Sequence, residues 1–454
     1  MKNIYIFFYF FSLFIVAENY EPFESTYEPL PPTNTIFRNA SIYDGEGNEL
    51  NNTDLIIKDG KVVAMGVDLP SSSDLIEVDA SGKWITPGII DIHSHMGVYP
   101  APSVRTSSDG NEATSPVTAE VWAEHSIWVQ DPQYALALKG GVTTFHVLPG
   151  SANLIGGRGV TAKNLQRNTI NSMKFPNAPH SLKMACGENP KRVYGNKGQS
   201  PSTRMGNAAG YRKSWIKAQS YLSRLDEYEE KSEEAKELSY KPTRDLELET
   251  LAGVLRDEIL VHNHCYRADE MATMINISQE FGYKVSTFHH GVEAYKIANL
   301  LADEGICAAL WADWWGFKHE AYDMTIANIA IVDQARGGTG CAIVHSDSAS
   351  GIQRLNQEAA KALAAGREAG FDISEERAMT WITKNPAKSL GILEKTGTLE
   401  NGKDADIVIW SGNPFSVYSK AEQVYIDGAL AFDKATNFMP HTDFDLGVKE
   451  WEGK

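Results

Sequence analysis

Short apolar segments alternate with helical patterns between about residues 87 and 391. The apolar segments include GVTTFHVL, HSLKMACG, EILVHNHC, KVSTFHHG, ICAALWAD and CAIVHSDS, and helical stretches such as RADEMATMINISQEFG lie between several of them. Strands that alternate with helices indicate a parallel sheet, and a run of such units over roughly 300 residues suits an α/β fold of the (β/α)8 TIM barrel type. A doubly wound open sheet would produce the same alternation, so the pattern alone leaves both folds open.

Strand-like segments flank this region at both ends of the chain. Residues 35–86 contain short alternating runs, two of them separated by Asp59-Gly60 as in a tight hairpin, and residues 392–435 return to the same pattern. We expect the two segments to pair into a small β-sandwich domain beside a barrel at 87–391. A helical insertion at about 190–250, basic and then acidic, interrupts the barrel pattern.

The first residues resemble a secretion signal. Residues 4–17 form an apolar run after Lys2, too short to span a bilayer comfortably but suited to a signal-peptide core. We therefore expect residues 1–17 to be a signal peptide, 18–34 an extended lead-in and 436–454 a C-terminal tail. The predicted location is periplasmic or secreted, with an uncleaved signal anchor as the alternative.

The net charge of the chain restricts the classes of partner that it can bind. A formal net charge of −17 argues against a nucleic-acid or anionic-membrane partner and leaves a small-molecule substrate. The sequence leaves the oligomeric state open.

The four cysteines lie in apolar strand-like segments and are interpreted as buried free thiols, although export would permit disulfides. They are Cys186, Cys265, Cys307 and Cys341.

Histidines are concentrated in the apolar runs. Eight of the twelve histidines fall in TPGIIDIHSHMG, GVTTFHVL, EILVHNHC, KVSTFHHG and CAIVHSDS, whereas histidines placed at random would fall mainly in polar loops and on helix surfaces. In TPGIIDIHSHMG, His93 and His95 share one face of a strand because residues two apart point the same way. The ends of successive barrel strands converge on one face, which is where barrel enzymes place their sites. Imidazole together with carboxylate is the ligand set of zinc or a neighbouring divalent metal.

These motifs resemble the amidohydrolase superfamily, and in particular its imidazolonepropionase-like exported members. TPGIIDIHSHMG is similar to the start of that superfamily's barrel, and ERAMTWITKNPAKSLGILEKTGTLENGKDADIVIW is similar to its close. The resemblance covers roughly residues 35–433 and implies a closed barrel.

The resemblance also implies a set of metal ligands. They are His93 and His95 on the first strand, His262 on the fifth, His290 on the sixth and Asp347 on the last. For the fourth strand, relatives use either a glutamate or a carboxylated lysine, and this chain offers both. Glu188 is preferred because it lies at the end of its apolar run, and Lys183 is the alternative bridging ligand. The choice bears on whether one or two ions bind. Zinc is expected, with Mn, Fe or Co as alternatives.

The chemistry follows from these groups. A divalent cation makes bound water more acidic and polarises a carbonyl oxygen, and Asp347 would act as general base and then acid. The predicted reaction is hydrolysis of an amide or cyclic amide C–N bond. A deaminase or peptidase-type hydrolase on the same scaffold, and a non-catalytic binding protein that keeps the fold, are the alternatives. Four further residues are candidates for substrate contact: His146, His264, His345 and Trp311.

Overall fold

The computed structural model describes residues 23–436 and divides their strands between two sheets. The predicted signal peptide and nearly all of the predicted tail lie outside these residues. The strands are β1 Thr35–Tyr43, β2 Glu49–Lys58, β3 Lys61–Gly66, β4 Ile76–Asp79, β5 Trp84–Pro87, β6 Ile89–Ser94, β7 Val142–Val147, β8 Ile155–Lys163, β9 Ser181–Ala185, β10 Leu260–Cys265, β11 Thr287–His290, β12 Cys307–Leu310, β13 Cys341–Val344, β14 Ile407–Trp410, β15 Ala421–Ile426 and β16 Ala429–Asp433.

The helices lie mainly between the barrel strands. They are α1 Gln133–Lys139, α2 Glu188–Gly195, α3 Arg204–Glu229, α4 Glu233–Glu237, α5 Leu246–Leu255, α6 Ala268–Phe281, α7 Ala298–Asp303, α8 Asn328–Asp333, α9 Ala335–Gly338, α10 Leu355–Glu368, α11 Glu375–Met379 and α12 Lys384–Ser389. Helices α2 to α5 occupy the predicted insertion. None of the helices in residues 23–436 has the length and apolar character needed to cross a membrane.

Strands β6 to β13 form a TIM-barrel-like sheet in chain order. The last strand meets the first beyond the end of β13, where the Asp347 amide donates to the His93 carbonyl at 3.0 Å and the Ser346 amide donates to the Asp91 carboxylate at 3.2 Å. Strands β6, β7 and β9 are short and entirely buried, and they combine apolar residues with buried polar ones such as Asp91, His93 and Lys183. The barrel therefore brings the ends of the first and eighth strands together.

One barrel strand departs from the expected (β/α)8 pattern. Strand β8 pairs antiparallel with both β7 and β9, whereas the other neighbouring barrel strands pair in parallel. The connection at 148–154 between β7 and β8 contains no helix. It is shorter than the dozen or so residues that a parallel crossover requires, so the chain turns back as a hairpin.

The second sheet combines strands from both ends of the chain, as the sequence pattern indicates. Its order is β16-β15-β14-β5-β1-β2-β3, and β4 also pairs with β1. All eight strands are joined by hydrogen bonds into one sheet, so they do not divide into the two sheets of the expected sandwich. Strand β1 pairs with β4 through its first half and with β5 through its second, and irregularities between Phe37 and Ala40 and between Ala40 and Ile42 bend it.

A buried lysine connects the barrel to the β domain. Lys163, at the end of β8, places its ammonium 2.9 Å from Asp406, 2.9 Å from Asp427 and 3.1 Å from Asp404. Burial alone would lower the pKa of Lys163, but the three carboxylates raise it well above its usual value. Lys163 and Asp406 are almost completely buried, whereas Asp404 and Asp427 keep 12% and 14% of their side chains exposed.

The cysteines are paired, which corrects the expected free thiols. Cys186 follows β9 and bonds to Cys265 at the end of β10, while Cys307 in β12 bonds to Cys341 in β13. Each pair joins neighbouring strands, and Cys307 and Cys341 are direct register partners. The Cα atoms lie 5.2 and 4.6 Å apart, within the range that a disulfide spans. The paired cysteines are 79 and 34 residues apart in sequence, so the sequence alone does not reveal that they lie on neighbouring strands.

Thiol titration checks the pairing. Protein purified without reductant and unfolded in guanidinium is expected to show no free thiols with Ellman's reagent, because all four cysteines are held in disulfides. After reduction, four thiols per chain are expected. Four reactive thiols before reduction would restore the free-thiol interpretation.

Candidate metal centre

Three side chains from distant parts of the chain converge at the carboxyl ends of the barrel strands. His93 lies in β6, His290 ends β11 and Asp347 follows β13, and one ligand atom from each lies within 4.8 Å of the others. The Asp347 carboxylate is 3.3 Å from His95 Nε2, 3.6 Å from His93 Nε2 and 3.9 Å from His290 Nε2. Three imidazoles thus surround one carboxylate.

Two members of this cluster have strained backbones. His290 and Asp347 have φ angles of 72° and 48°, in the left-handed region that residues with a Cβ atom rarely adopt. Such conformations persist where the surroundings enforce them, and they concentrate at functional sites. Asp347 is held by its amide hydrogen bond to the first barrel strand.

Hydrogen bonds orient the first-strand imidazoles. His95 Nδ1 lies 2.9 Å from the Leu148 carbonyl oxygen and donates to it, which leaves Nε2 as the lone-pair atom facing Asp347. His93 Nδ1 lies 2.8 Å from His289 Nδ1, and His289 Nε2 lies 2.9 Å from His262 Nδ1. A backbone carbonyl that holds one ring nitrogen and leaves the other free, as Leu148 does for His95, is typical of metal-ligating histidines.

His289 is the residue of this network to which sequence reasoning gave no role. Strand alternation predicts that only one of two adjacent residues faces inward. Both do, because the left-handed backbone of His290 breaks the alternation: the ring centres of His289 and His290 lie 4.8 and 4.6 Å from that of His93. The adjacent pair of histidines in TFHHG was the available signal.

Burial keeps the imidazoles neutral. It lowers the pKa of His93, His264 and His290 well below the usual value, and neighbouring histidines and Lys183 add to the effect. A neutral imidazole has the free lone pair that a metal ion requires.

The two candidates for the fourth strand have different surroundings. Lys183 lies within β9, is almost fully buried, and donates from Nζ to the Pro149 carbonyl oxygen at 3.0 Å. Burial lowers its pKa to about 7, opposed in part by the charge of Asp347. Glu188 instead begins α2, and its carboxylate pairs with Lys318 Nζ at 3.3 Å. Lys183 thus lies close enough to Asp347 for the carboxylate charge to affect its pKa, whereas Glu188 forms an ion pair with Lys318.

The two histidines of the fifth strand lie at different depths. His262 is the register partner of Lys183 and Thr287, whereas His264 lies two residues nearer the carboxyl end. The His264 ring centre is 4.7 Å from that of His290, and its Nε2 is 3.3 Å from Asn189 Nδ2. His264 is therefore the fifth-strand residue in ring contact with the cluster.

Of the other three residues predicted to contact substrate, two border the histidine cluster and one does not. His146 is fully buried, with its two nitrogens 2.9 Å from Thr161 Oγ1 and 2.7 Å from Ser181 Oγ, so both are satisfied inside the barrel. His345 stacks on His93 at 5.2 Å, and Trp311 stacks on His290 at 4.2 Å. These two border the cluster, whereas His146 lies within the protein interior.

The residues present fit a divalent transition metal. Several buried imidazole nitrogens have no hydrogen-bond partner among residues 23–436, namely His262 Nε2, His264 Nδ1, His290 Nδ1 and both nitrogens of His345. Buried polar atoms are rarely left unpaired without a reason such as a bound ion. Neutral imidazole and carboxylate are the ligands that zinc and its neighbours favour.

Comparison with known proteins identifies the class. The model of the amidohydrolase family matches residues 225–438. A crystal structure of an amidohydrolase from Thermotoga maritima MSB8 is 36% identical, with a TM-score of 0.79, and the match covers 88% of this chain and 100% of that one. The chain therefore belongs to the amidohydrolase family, whose members are hydrolases of carbon–nitrogen bonds and are generally metal-dependent. The predicted resemblance to the amidohydrolase superfamily is confirmed, and this family supports the predicted class of hydrolases that act on carbon–nitrogen bonds.

Two curated relatives show where the likeness is broad and where it is local. Amidohydrolase tasK from Hapsidospora irregularis is 32% identical over 433 residues, which cover 88% of this chain but only 43% of tasK. This chain thus spans less than half the length of that relative. The imidazolonepropionase of Thermoplasma volcanium is 41% identical over 69 residues, 14% of this chain and 17% of the relative. The likeness to imidazolonepropionase is confined to a short segment.

Proposed function

We propose that the protein hydrolyses an amide or cyclic amide C–N bond at a divalent metal centre, with zinc as the expected ion. The convergence of His93, His290 and Asp347 within 4.8 Å carries this proposal. His95, whose Nε2 faces the same carboxylate at 3.3 Å, adds a further donor. Held there, a divalent cation would supply electrophilic assistance to a carbonyl group and make water more acidic.

Asp347 is suited to proton transfer in this reaction. Its side chain is 23% exposed, whereas His93 and His290 are 1% and 3% exposed, so water and substrate can reach the Asp347 carboxylate. His95, which is 20% exposed, borders the same opening. Asp347 also lines a cavity of about 530 Å³. Asp347 would accept a proton from the attacking water and deliver it to the leaving nitrogen.

We propose Lys183, rather than Glu188, as the fourth-strand ligand. Burial lowers the pKa of Lys183 to about 7, which makes the neutral amine accessible at neutral pH. A neutral amine adds to carbon dioxide and releases one proton, which yields a carbamate with two oxygen donors. Glu188 would have to give up its ion pair with Lys318 to reach the cluster.

We also propose His264 as the fifth-strand donor. Its ring contacts that of His290 directly, at 4.7 Å between the ring centres. His262, whose Nδ1 lies 2.9 Å from His289 Nε2 and whose Nε2 has no partner among residues 23–436, is the alternative donor on this strand.

Metal counting tests the centre and its fourth ligand together. The wild-type protein, purified without chelator, is compared by elemental analysis with Lys183→Ala and Glu188→Ala. We expect the metal content to fall by at least half in Lys183→Ala, since a proposed ligand is lost, and to stay at the wild-type value in Glu188→Ala. A loss in Glu188→Ala alone would favour the glutamate.

Export remains our proposal for the location. The two disulfides support it, since stable disulfides are typical of proteins in oxidising compartments. The apolar run at 4–17 is consistent with the same proposal, although it lies outside the described residues.

A further inference from the structure

The cavity over Asp347 has walls that are mostly aromatic. It measures about 530 Å³, and apart from Asp313 and Asp347 its lining consists of Tyr266, Trp311, Trp314, Trp315 and Phe317. Most of these rings follow β12 in a single stretch of chain, LWADWWGF. The cavity therefore adjoins the metal cluster on one side and a continuous aromatic surface on the other.

Trp311 connects the cluster to this surface. It stacks on His290, lies 5.8 Å from Trp314 in a near-parallel arrangement, and meets Phe317 edge-on at 5.7 Å. The outer rings are open to solvent: Trp315 is 50% and Phe317 is 57% exposed. Exposed aromatic surface at the mouth of a catalytic cavity is available for stacking with a bound ring.

Two charged groups beside the aromatic rings are already paired. Lys318 Nζ lies 2.9 Å from Asn189 Oδ1, 3.3 Å from Glu188 and 4.2 Å above the Tyr266 ring, where it occupies the cation–π position. Asp313 accepts from Lys361 Nζ at 2.9 Å. A charged ligand group held among these rings would compete with these pairs, whereas an uncharged ring leaves both intact.

We propose that the substrate carries an uncharged aromatic group on its scissile amide, held against Trp314, Trp315 and Phe317 while the carbonyl group lies at Asp347. This inference rests on the proposed hydrolysis for the position of the carbonyl. The aromatic subsite itself is formed by the loop after β12 and does not depend on which reaction the protein catalyses.

Two hydroxamic acids test the subsite by isothermal titration calorimetry. Benzohydroxamic and acetohydroxamic acid share the metal-binding group and differ in the ring. The zinc-loaded wild-type protein is expected to bind the benzo compound about tenfold more tightly. Trp315→Ala and Phe317→Ala are each expected to reduce this preference by about threefold or more and to leave acetohydroxamate affinity unchanged. Tyr418→Ala, which removes an 89% exposed ring in the β domain, is the matched control and is expected to keep the full preference.

Several results would overturn the inference. Equal affinity for the two compounds in the wild-type protein would do so, as would an unaltered preference in both loop variants. A para-carboxylate or para-aminomethyl group on the ring is expected to weaken binding, and tighter binding of either compound would contradict an uncharged substrate group.

Failure of the metal centre can be separated from failure of the subsite. If the protein holds no metal and acetohydroxamate does not bind, the proposed hydrolysis fails. The subsite is then tested with benzamide against acetamide, neither of which needs the ion. Preference for benzamide that is lost in Phe317→Ala supports the aromatic subsite, and equal binding of the two amides overturns it.

Discussion

Replacing Asp347 with asparagine is expected to lower kcat for amide hydrolysis by about 10²- to 10⁴-fold, the usual contribution of a general acid–base group. Asparagine has nearly the same shape as aspartate but cannot accept the proton of the attacking water. Steady-state kinetics, together with metal analysis of the same preparation, would show how much of the loss persists when the ion is retained.

Asp313→Asn is the matched control for this prediction. Asp313 lines the same cavity, but its carboxylate bonds to Lys361 and is absent from the histidine cluster. We expect its kcat to stay within about threefold of the wild-type value, because Asp313 takes no part in the proposed proton transfer and its loss removes only a surface ion pair. Equal losses in Asp313→Asn and Asp347→Asn would show that general damage to the cavity, and not proton transfer, is responsible.

Replacing Lys163 with methionine is expected to have the largest effect on stability. The variant leaves Asp404, Asp406 and Asp427 without the ammonium that they enclose. Breaking a buried charge network by removing one partner costs about 3–5 kcal/mol. Urea unfolding followed by tryptophan fluorescence would measure the change.

Lys61→Met is the control for the stability prediction. Lys61 also pairs with Asp404, but its side chain is 45% exposed, and an exposed pair contributes about 1 kcal/mol or less. A loss in Lys163→Met no larger than the loss in Lys61→Met would mean that the buried network does not hold the barrel and the β domain together.

The sequence was informative about elements and weak about their registers. Alternating apolar and helical segments indicated the barrel strands, and the two strand-rich ends indicated a shared β domain, because periodicity records which face of each element is buried. The reversal of β8 was missed, although the connection before it is too short for a parallel crossover. The cysteine pairs were missed because partners on neighbouring strands are distant in sequence.

For the metal centre, too, the sequence was more informative about the residues than about the strand registers that position them. The strand-end motifs contain His93, His95, His290 and Asp347, the family resemblance implies that they are ligands, and the structure brings them together. The choice between Glu188 and Lys183 depends on where a helix begins and on a side chain that reaches along the barrel, neither of which is visible in one sequence. The depths of His262 and His264 depend equally on strand register.

Hydrolysis by metal-stripped protein tests the central claim most directly. Protein dialysed against a chelator, with its metal content verified by elemental analysis, would be assayed for amine release from a panel of N-acyl amides, dipeptides and cyclic amides that the untreated protein cleaves. We expect removal of the metal to lower activity at least about 100-fold, and added zinc or manganese to restore it. Full activity in protein that holds no metal would contradict the account.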